Sequence, residues 1–568
     1  MSRTLEDVYA ELTAPGERFE VGTEVVRGTP TKVYRQAPAH LRELLDRALR
    51  HGDVPYLVYE DERWGFAETR RHAASLAHVL RDRYDVGHGD RVAIAVRNYP
   101  EWVVAFWATV ALGAVSVPLN GWWQGDELEY GLSDSGSGVL VADDQRLDRL
   151  GDRLGRLGLA GRTLAVRSER DLPGVDHYCD LVDPRDDLPD ADVGPDDDAT
   201  IFYTSGTTGF PKGVVGTHRN MTTNLWNLLI SAGARQKMGR EDRATESGSD
   251  AKRPDQNAIL LTVPLFHATG CHSVMVPSMF TGQKVVMMYR WDPGRAQEQR
   301  GREQVTALTR VPTQGKEQIE HDDFDSRDTS SLRSVGAGGA PTPPGLVSRM
   351  AELFPRANPG NGYGLTETSS ISTMNGGDDY VRHPDSVGKP VPVVELRVVT
   401  DGGDDVGRGE PGELWIKGPN VVRGYWGKPD DTAESFVEGG WFRSGDVARI
   451  DDEGFVYLVD RAKDIVIRGG ENISTVEVEA AIHEHDAVME VAVFGAPHDR
   501  LGEEVAAAVL PKPGRTLTTE EIIEHLSGHL AGFKIPSRVW VVDEQLPRNA
   551  AGKIVKRDLR DRLLADDG

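Results

Sequence analysis

The sequence predicts an α/β fold with substantial parallel sheet, and three observations predict it. From Leu41 onward, stretches of helical period alternate with short apolar runs of strand length, as expected for helices layered over parallel strands. Long uncharged runs break at Gly and Pro instead of continuing as single helices. The final stretch of about 105 residues repeats the alternation as a second, smaller α/β unit, so the chain divides into residues 1–460 and 461–568.

Residues 1 to about 35 form an extension with no assignable role. LRELLDRALR (41–50) predicts a helix, YLVYEDERWGF (56–66) a hairpin, TRRHAASLAHVLRDRY (69–84) a helix and RVAIAV (91–96) a buried strand. Trp102 to Leu119 spans 18 residues without a charge, the length of a membrane span. Pro100 and Glu101 open a helix there, Gly113 breaks it, and VSVPL suits a strand, so helix, turn and strand is the reading. VLVAD (139–143) and TLAV (163–166) continue the series, while residues 171–199, crowded with Asp and Pro, predict a solvated connector.

Further on, Ala199 to Tyr203 reads as a strand, and Arg235 to Gln256 as a polar loop without apolar period. Ala258 to Thr281 splits at Pro264 and Gly270 into strand, loop and short helix. SLRSV (331–335) is a short strand entering a Gly-rich turn, and WFRSGDVARI (441–450) places Asp446 at the start of a strand. In the last unit VEVEAAIHEH and TEEIIEHLSGHL predict helices, and VMEVAVFGAP and EVAAAVL predict strands.

Composition narrows the function. A net charge of −25 over 568 residues, with no concentrated basic stripe, argues against nucleic acid as a partner. Two cysteines, Cys179 and Cys271, make no disulfide framework or metal-ligand spacing, which fits a reducing cytoplasm. The charged start MSRTLEDVYAEL lacks the apolar core of a secretory signal.

The chemistry centres on YTSGTTGFPKG (203–213). Hydroxyls at Thr204, Ser205, Thr207 and Thr208 alternate with Gly206 and Gly209, so a flexible backbone turns N–H groups toward one anion while hydroxyls add donors. Lys212 supplies a mobile positive charge. No Gly-Lys-Ser/Thr follows, so this phosphate loop is not a Walker A loop. In NGYGLTETSS (361–370), Asn361 can read an adenine edge, Tyr363 can stack on the ring, and Thr366 can donate to phosphate. Gly362 and Gly364 belong to the same nucleotide-contacting string, and Glu367 is a hard oxygen ligand suited to magnesium. Asp446 can take both hydroxyls of a ribose. His267 follows an apolar strand, a position in which a histidine is more often structural.

The ordered set of motifs resembles the adenylate-forming superfamily, and within it the AMP-forming acyl-CoA synthetases, over essentially the whole chain. The resemblance implies a large multi-layered N-terminal domain of mixed sheets and helices, joined by a hinge at Lys463 to a small mobile domain. It implies ATP, Mg2+ and coenzyme A as cofactors, and a small-molecule carboxylic acid, fatty or related, as substrate. No transmembrane segment is expected; a homodimer is possible. Gly339, Ala340 and Pro341 look like the family's adenine turn, and Arg461 a second ribose contact. His267 is similar to a residue lining the acyl pocket, and Thr204 with Glu367 to the magnesium site.

By the same resemblance, Gly469 and Gly470 face coenzyme A after the small domain swings. Lys553 in LPRNAAGKIVKRDL (546–559) matches the catalytic lysine that joins acid and α-phosphate. Two departures stand out. In TRVPTQGKEQIEH (309–321) Arg310, Gln314 and Lys316 intrude where apolar residues usually line the acyl tunnel, which hints at a shorter or functionalised acid. Thr475 stands where a proline is common. The rival readings are a ligase that passes its adenylate to a carrier protein's phosphopantetheine, and a catalytically silent nucleotide-binding protein.

Overall fold

Two large sheets enclose a layer of helices, and the uncharged run that begins at Trp102 fills the space between them. The structure is a computed structural model that describes residues 3–204, 210–243, 255–321, 323–324, 328–338, 342, 344–400, 402–461, 463–468, 471–498, 500–527, 529–548 and 554–566. Helix Pro100–Ala111 is buried at all twelve positions, Gly113 turns the chain at φ +71°, and strand Val115–Pro118 follows. A helix apolar on every side needs cover on every side. The core supplies it, with Val92, Ile94 and Val139 from one sheet and Leu57, Ile259 and Val285 from the other.

Among the described residues the first sheet has eight strands, in the order 424–425, 212–217, 198–204, 115–118, 91–95, 139–143, 163–166 and 175–177. The second has nine, in the order 389–390, 373–376, 358–363, 334–338, 307–310, 258–261, 284–287, 55–59 and 62–65. The middle pairings of both are parallel; antiparallel strands close both edges of the second sheet and one edge of the first, whose other edge strand, 175–177, pairs parallel with 163–166. Strands covered on both faces carry apolar residues at successive positions, as Leu57 and Val58 or Val285 and Val286 do. A five-stranded sheet holds Trp441–Ile450 paired with Val456–Arg461. The C-terminal domain has its own five-stranded sheet, with helix Thr475–His483 on one face and Leu559 and Leu563 of helix Lys556–Asp566 on the other.

Several expectations need correction. The segment from Arg235 is not loop throughout: helix His218–Arg243 continues through it, because Arg, Gln, Lys and Met are strong helix formers even without an apolar stripe. Residues 244–254 of that segment lie outside the described residues. The Asp- and Pro-rich connector contains an edge strand, Val175–His177, and a helical turn, Tyr178–Leu181. The short strand expected over 331–335 lies at Ser334–Gly338. Asp446 sits in the middle of strand Trp441–Ile450, where Gly445 at φ +69° and a shift of register re-aim the backbone.

The N-terminal extension also has a place. Helix Leu5–Leu12 and the hairpin Val21–Val26/Thr29–Tyr34 pack on helix His218–Arg243, with the Tyr34 hydroxyl donating to Asn227 Oδ1 at 3.0 Å. No helix among the described residues is long and apolar enough to cross a membrane.

Candidate active site

Within each sheet the parallel strands end on one side, the side where open α/β sheets bind ligands. Strand Asp198–Thr204 runs out at Thr204, which stands opposite Lys212 in the antiparallel pairing with Lys212–Thr217. The phosphate loop is therefore the connection of a hairpin. Ser205, Gly206, Thr207, Thr208 and Gly209 lie outside the described residues, as do Gly339, Ala340, Pro341, Gly469, Gly470 and Lys553.

Lys212 extends its amine to Asp431 Oδ1 at 2.5 Å and over the Tyr425 ring, 5.2 Å from its centre. Tyr425 reaches this position because the short strand Gly424–Tyr425 adds to the sheet edge, pairing with Val214 and Val215. Its hydroxyl donates to Glu367 Oε1 at 3.0 Å. Burial raises the Glu367 carboxyl above the ordinary carboxylate range, opposed by the Tyr425 hydrogen bond and by the charge of Arg461. These contacts join the phosphate-loop strand, the 361–370 loop and the sheet-edge strand.

Asn361, Gly362 and Tyr363 end strand Asn358–Tyr363, third from one edge of the nine-stranded sheet, and Thr366 opens a short helix, Thr366–Thr368. Gly364 lies so close to Ser370 that a Cβ there would stand 1.4 Å from its carbonyl oxygen. At Gly362 a Cβ would meet Ile371 Cδ1 at 2.7 Å. The Tyr363 hydroxyl donates to Asp446 Oδ2 at 2.6 Å, and Arg461 Nε lies 3.1 Å from Asp446 Oδ1. The pairing of Asp446 with Arg461 across two strands sets that contact. Asp446 is buried, and both oxygens hold a partner while lone pairs remain for further donors.

His267 is half-buried at the end of the loop after strand Ala258–Leu261, and its carbonyl accepts from Cys271 N–H at 3.0 Å. His272, one turn on, is buried, with Nδ1 3.1 Å from Ser369 Oγ. Burial lowers its pKa to about 4, so it is neutral at ordinary pH. Cys271 is buried and its thiol is pushed up by burial, which suits a small apolar side chain.

Two of the three polar residues singled out in 309–321 turn toward other layers of the protein. Arg310 turns into the layer beneath the sheet, against Gln318, Met350 and Phe354, and burial lowers its pKa to about 9. Lys316 donates to the carbonyls of Val488 and Met489 in the C-terminal domain. Gln314 Nε2 donates to Thr262 O at 3.0 Å, tying helix Pro312–Ile319 to the end of a core strand. Thr475 has a reason to differ from proline: its N–H and hydroxyl both donate to Asp460 Oδ2, at 2.5 and 2.8 Å, and proline has no N–H to give.

The sequence reading missed Tyr425 and Asp431. The signal available was the turn-rich GYWGKPDD, whose aromatic pair and twin carboxylates follow a glycine and a proline. A carboxylate and a threonine hydroxyl, Glu367 and Thr204, are hard oxygen donors and fit Mg2+, which takes few protein ligands when substrate phosphates supply the rest.

Fold and site together define a nucleotide-dependent α/β ligase with a separate C-terminal domain. The family model for AMP-binding enzymes matches residues 44–426, and that for the AMP-binding enzyme C-terminal domain matches 477–553; the chain belongs to this family. It is 36% identical to a feruloyl-CoA synthase of Amycolatopsis sp over 519 residues, 91% of this chain and 96% of that protein. It is 31% identical to a long-chain-fatty-acid–CoA ligase of Yersinia pestis over 570 residues, 94% of this chain and 96% of that one. The solved anthranilate CoA ligase AuaEII, in complex with anthranoyl-AMP, superposes with a TM-score of 0.83 at 26% identity, covering 93% of this chain and 98% of that one. The chain is an AMP-forming acyl-CoA synthetase: it uses ATP to turn a carboxylic acid into an acyl adenylate and transfers the acyl group to coenzyme A.

Proposed function

We propose that the acid is compact and planar, of the aryl-propenoic class, rather than a long unbranched chain. The observation that carries this is Asn224, fully buried in helix His218–Arg243. Its Nδ2 donates to His272 O and its Oδ1 accepts from Ile371 N–H, both at 2.9 Å. The three elements that leave the site after Lys212, His267 and Glu367 are thereby cross-linked, which supports a site that a long chain does not thread. The 36% identity to a feruloyl-CoA synthase supports the same class. The second reading is a fatty acid, favoured by the 31% identity to a long-chain-fatty-acid–CoA ligase.

In the reaction, a carboxylate oxygen of the acid attacks the α-phosphorus of ATP, the bond to pyrophosphate breaks, and an acyl adenylate remains. Two anions must meet, so the protein acts by placing positive charge and donors around them. We assign the phosphate loop, Thr204 to Gly209 with Lys212, to the departing pyrophosphate. Lys212 leaves Asp431 for phosphate at that point. Asn361, Tyr363 and the turn at Gly339 to Pro341 hold adenine, Asp446 and Arg461 hold ribose, and Thr366 donates to phosphate. His267 borders the acid, and Lys553 bridges acid and α-phosphate. Thr204 and Glu367 would hold Mg2+, which offsets phosphate charge when bound.

For the second step we assign a rotation of the C-terminal domain about Lys463 that withdraws Lys553 and brings Gly469 and Gly470 to coenzyme A. The thiolate attacks the acyl carbon, the bond to AMP breaks, and the thioester forms. Strand Val456–Arg461 ends one residue past the assigned domain boundary at 460/461, which supports a boundary in that region. Two free cysteines support a cytoplasmic location.

Pyrophosphate release across hydroxycinnamic, benzoic and fatty acids, with and without coenzyme A, tests the reading. Ferulate or a close analogue is expected to give the highest kcat/KM, with thioester formed only when coenzyme A is present. A preference for long unbranched acids over aryl-propenoic ones would overturn the compact-acid reading. Adenylate that coenzyme A does not discharge would favour the carrier-protein reading.

A further inference from the structure

Strand Val488–His498 carries an irregularity at its start. Val488 pairs with Pro511 and Glu490 with Leu510, so Met489 is an extra residue, and a bulge of this kind leaves backbone groups outside the ladder. Lys316, from helix Pro312–Ile319 of the large domain, donates to Val488 O at 3.0 Å and to Met489 O at 3.3 Å. The residue is half-buried; burial lowers the pKa of its amine, with Lys512 adding to that effect and the charges of Glu320 and Glu490 opposing it. An ammonium ion withdrawn from water onto two carbonyls of the other domain is a directed contact rather than a solvated surface charge.

The contact continues to Arg548 and Ile554, which flank the segment containing Lys553 in sequence. Glu490, next to the bulge, accepts from Leu546 N–H at 3.1 Å and pairs with Arg548 at 3.0 Å. Arg548 forms an antiparallel bridge with Ile554, and Val555 N–H donates to Pro547 O at 2.8 Å. Lys553 belongs to the segment between those two bridged residues. On the large-domain side, Glu317 feels the charge of Arg548, and Glu320 pairs with Lys512 at 3.2 Å. At the other end of the chain of contacts, Gln314 holds Thr262, five residues before His267.

We propose that Lys316 is a positioning residue for adenylation: it grips the Met489 bulge and so docks the C-terminal domain with Arg548, five residues before Lys553 in sequence, against the large domain. This rests on the assignment of Lys553 above. Rotation of the domain for thioester formation breaks the Lys316 contact and returns its ammonium ion to water, so the residue serves the first half-reaction alone.

The test uses the full chain as Lys316→Met and Lys316→Arg, with melting temperatures to establish folding. Acid-dependent exchange of pyrophosphate into ATP, with ferulate or decanoate, reads the first half-reaction. Consumption of supplied feruloyl or decanoyl adenylate by coenzyme A reads the second. Lys316→Met is expected to lower kcat for exchange about tenfold, with KM for ATP and acid within about twofold of the parent and the second half-reaction undiminished. Lys316→Arg should restore most of the exchange. Equal loss in both half-reactions, no loss in either, or a loss confined to the acid KM would overturn the inference. Absence of exchange in the unsubstituted protein would overturn the functional reading itself, and the inference with it.

Discussion

Asp446 shows how the site is set before nucleotide arrives. A buried carboxylate survives only with donors around it, and here Tyr363 serves one oxygen and Arg461 the other. Both hold the carboxylate in one orientation, so a ribose meets an acceptor that does not need to be ordered. Asp446→Ala removes the acceptor and strands the Tyr363 hydroxyl in a buried place. ATP binding, followed by calorimetry, is expected to weaken about tenfold to hundredfold, in line with roughly 1.5–3 kcal/mol for hydrogen bonds to a charged group. Unchanged ATP affinity would remove Asp446 from the ribose site. Lys212 follows a related logic: Asp431 holds its ammonium ion at 2.5 Å, in the place of the anion it is there to bind.

At the scale of the element, the loop from Asn361 to Ser370 is folded back on itself so tightly that Gly364 admits no side chain. Gly364→Ala must separate the loop from Ser370 and carry Thr366 and Glu367 with it. We expect adenylation to fall by more than about hundredfold, while stability in urea drops by about 1–3 kcal/mol, the usual range for overpacking. A variant with full activity would show that the loop does not hold the nucleotide.

Elements with continuous apolar runs were legible from sequence, because burial on both faces leaves no choice of residue: Arg91–Ala95, Val139–Asp143 and helix Pro100–Ala111 are cases. Strand Lys212–Thr217 was not read as a strand, since two glycines interrupt its apolar residues and its pairing with a neighbour supplies the order. Tyr425 and Asp431 were illegible for a related reason. They reach Lys212 through a sheet-edge pairing more than 200 positions away, which no local pattern encodes. The directions of Arg310 and Lys316 were not legible, because sequence alone did not say that one points toward the lower layer and the other toward the C-terminal domain.

At the scale of the whole molecule, a large domain holds the nucleotide while contacts from Lys316, Glu320 and Thr475 fix where the C-terminal domain rests. That arrangement has a purpose only if the acid's carboxylate attacks the α-phosphorus. The most direct measurement is the fate of 18O in a turnover with acid labelled in both carboxylate oxygens, with AMP and phosphate analysed by mass spectrometry. One 18O atom is expected in each AMP formed and none in pyrophosphate. Label in inorganic phosphate with ADP as the product, or unlabelled AMP, would contradict the account.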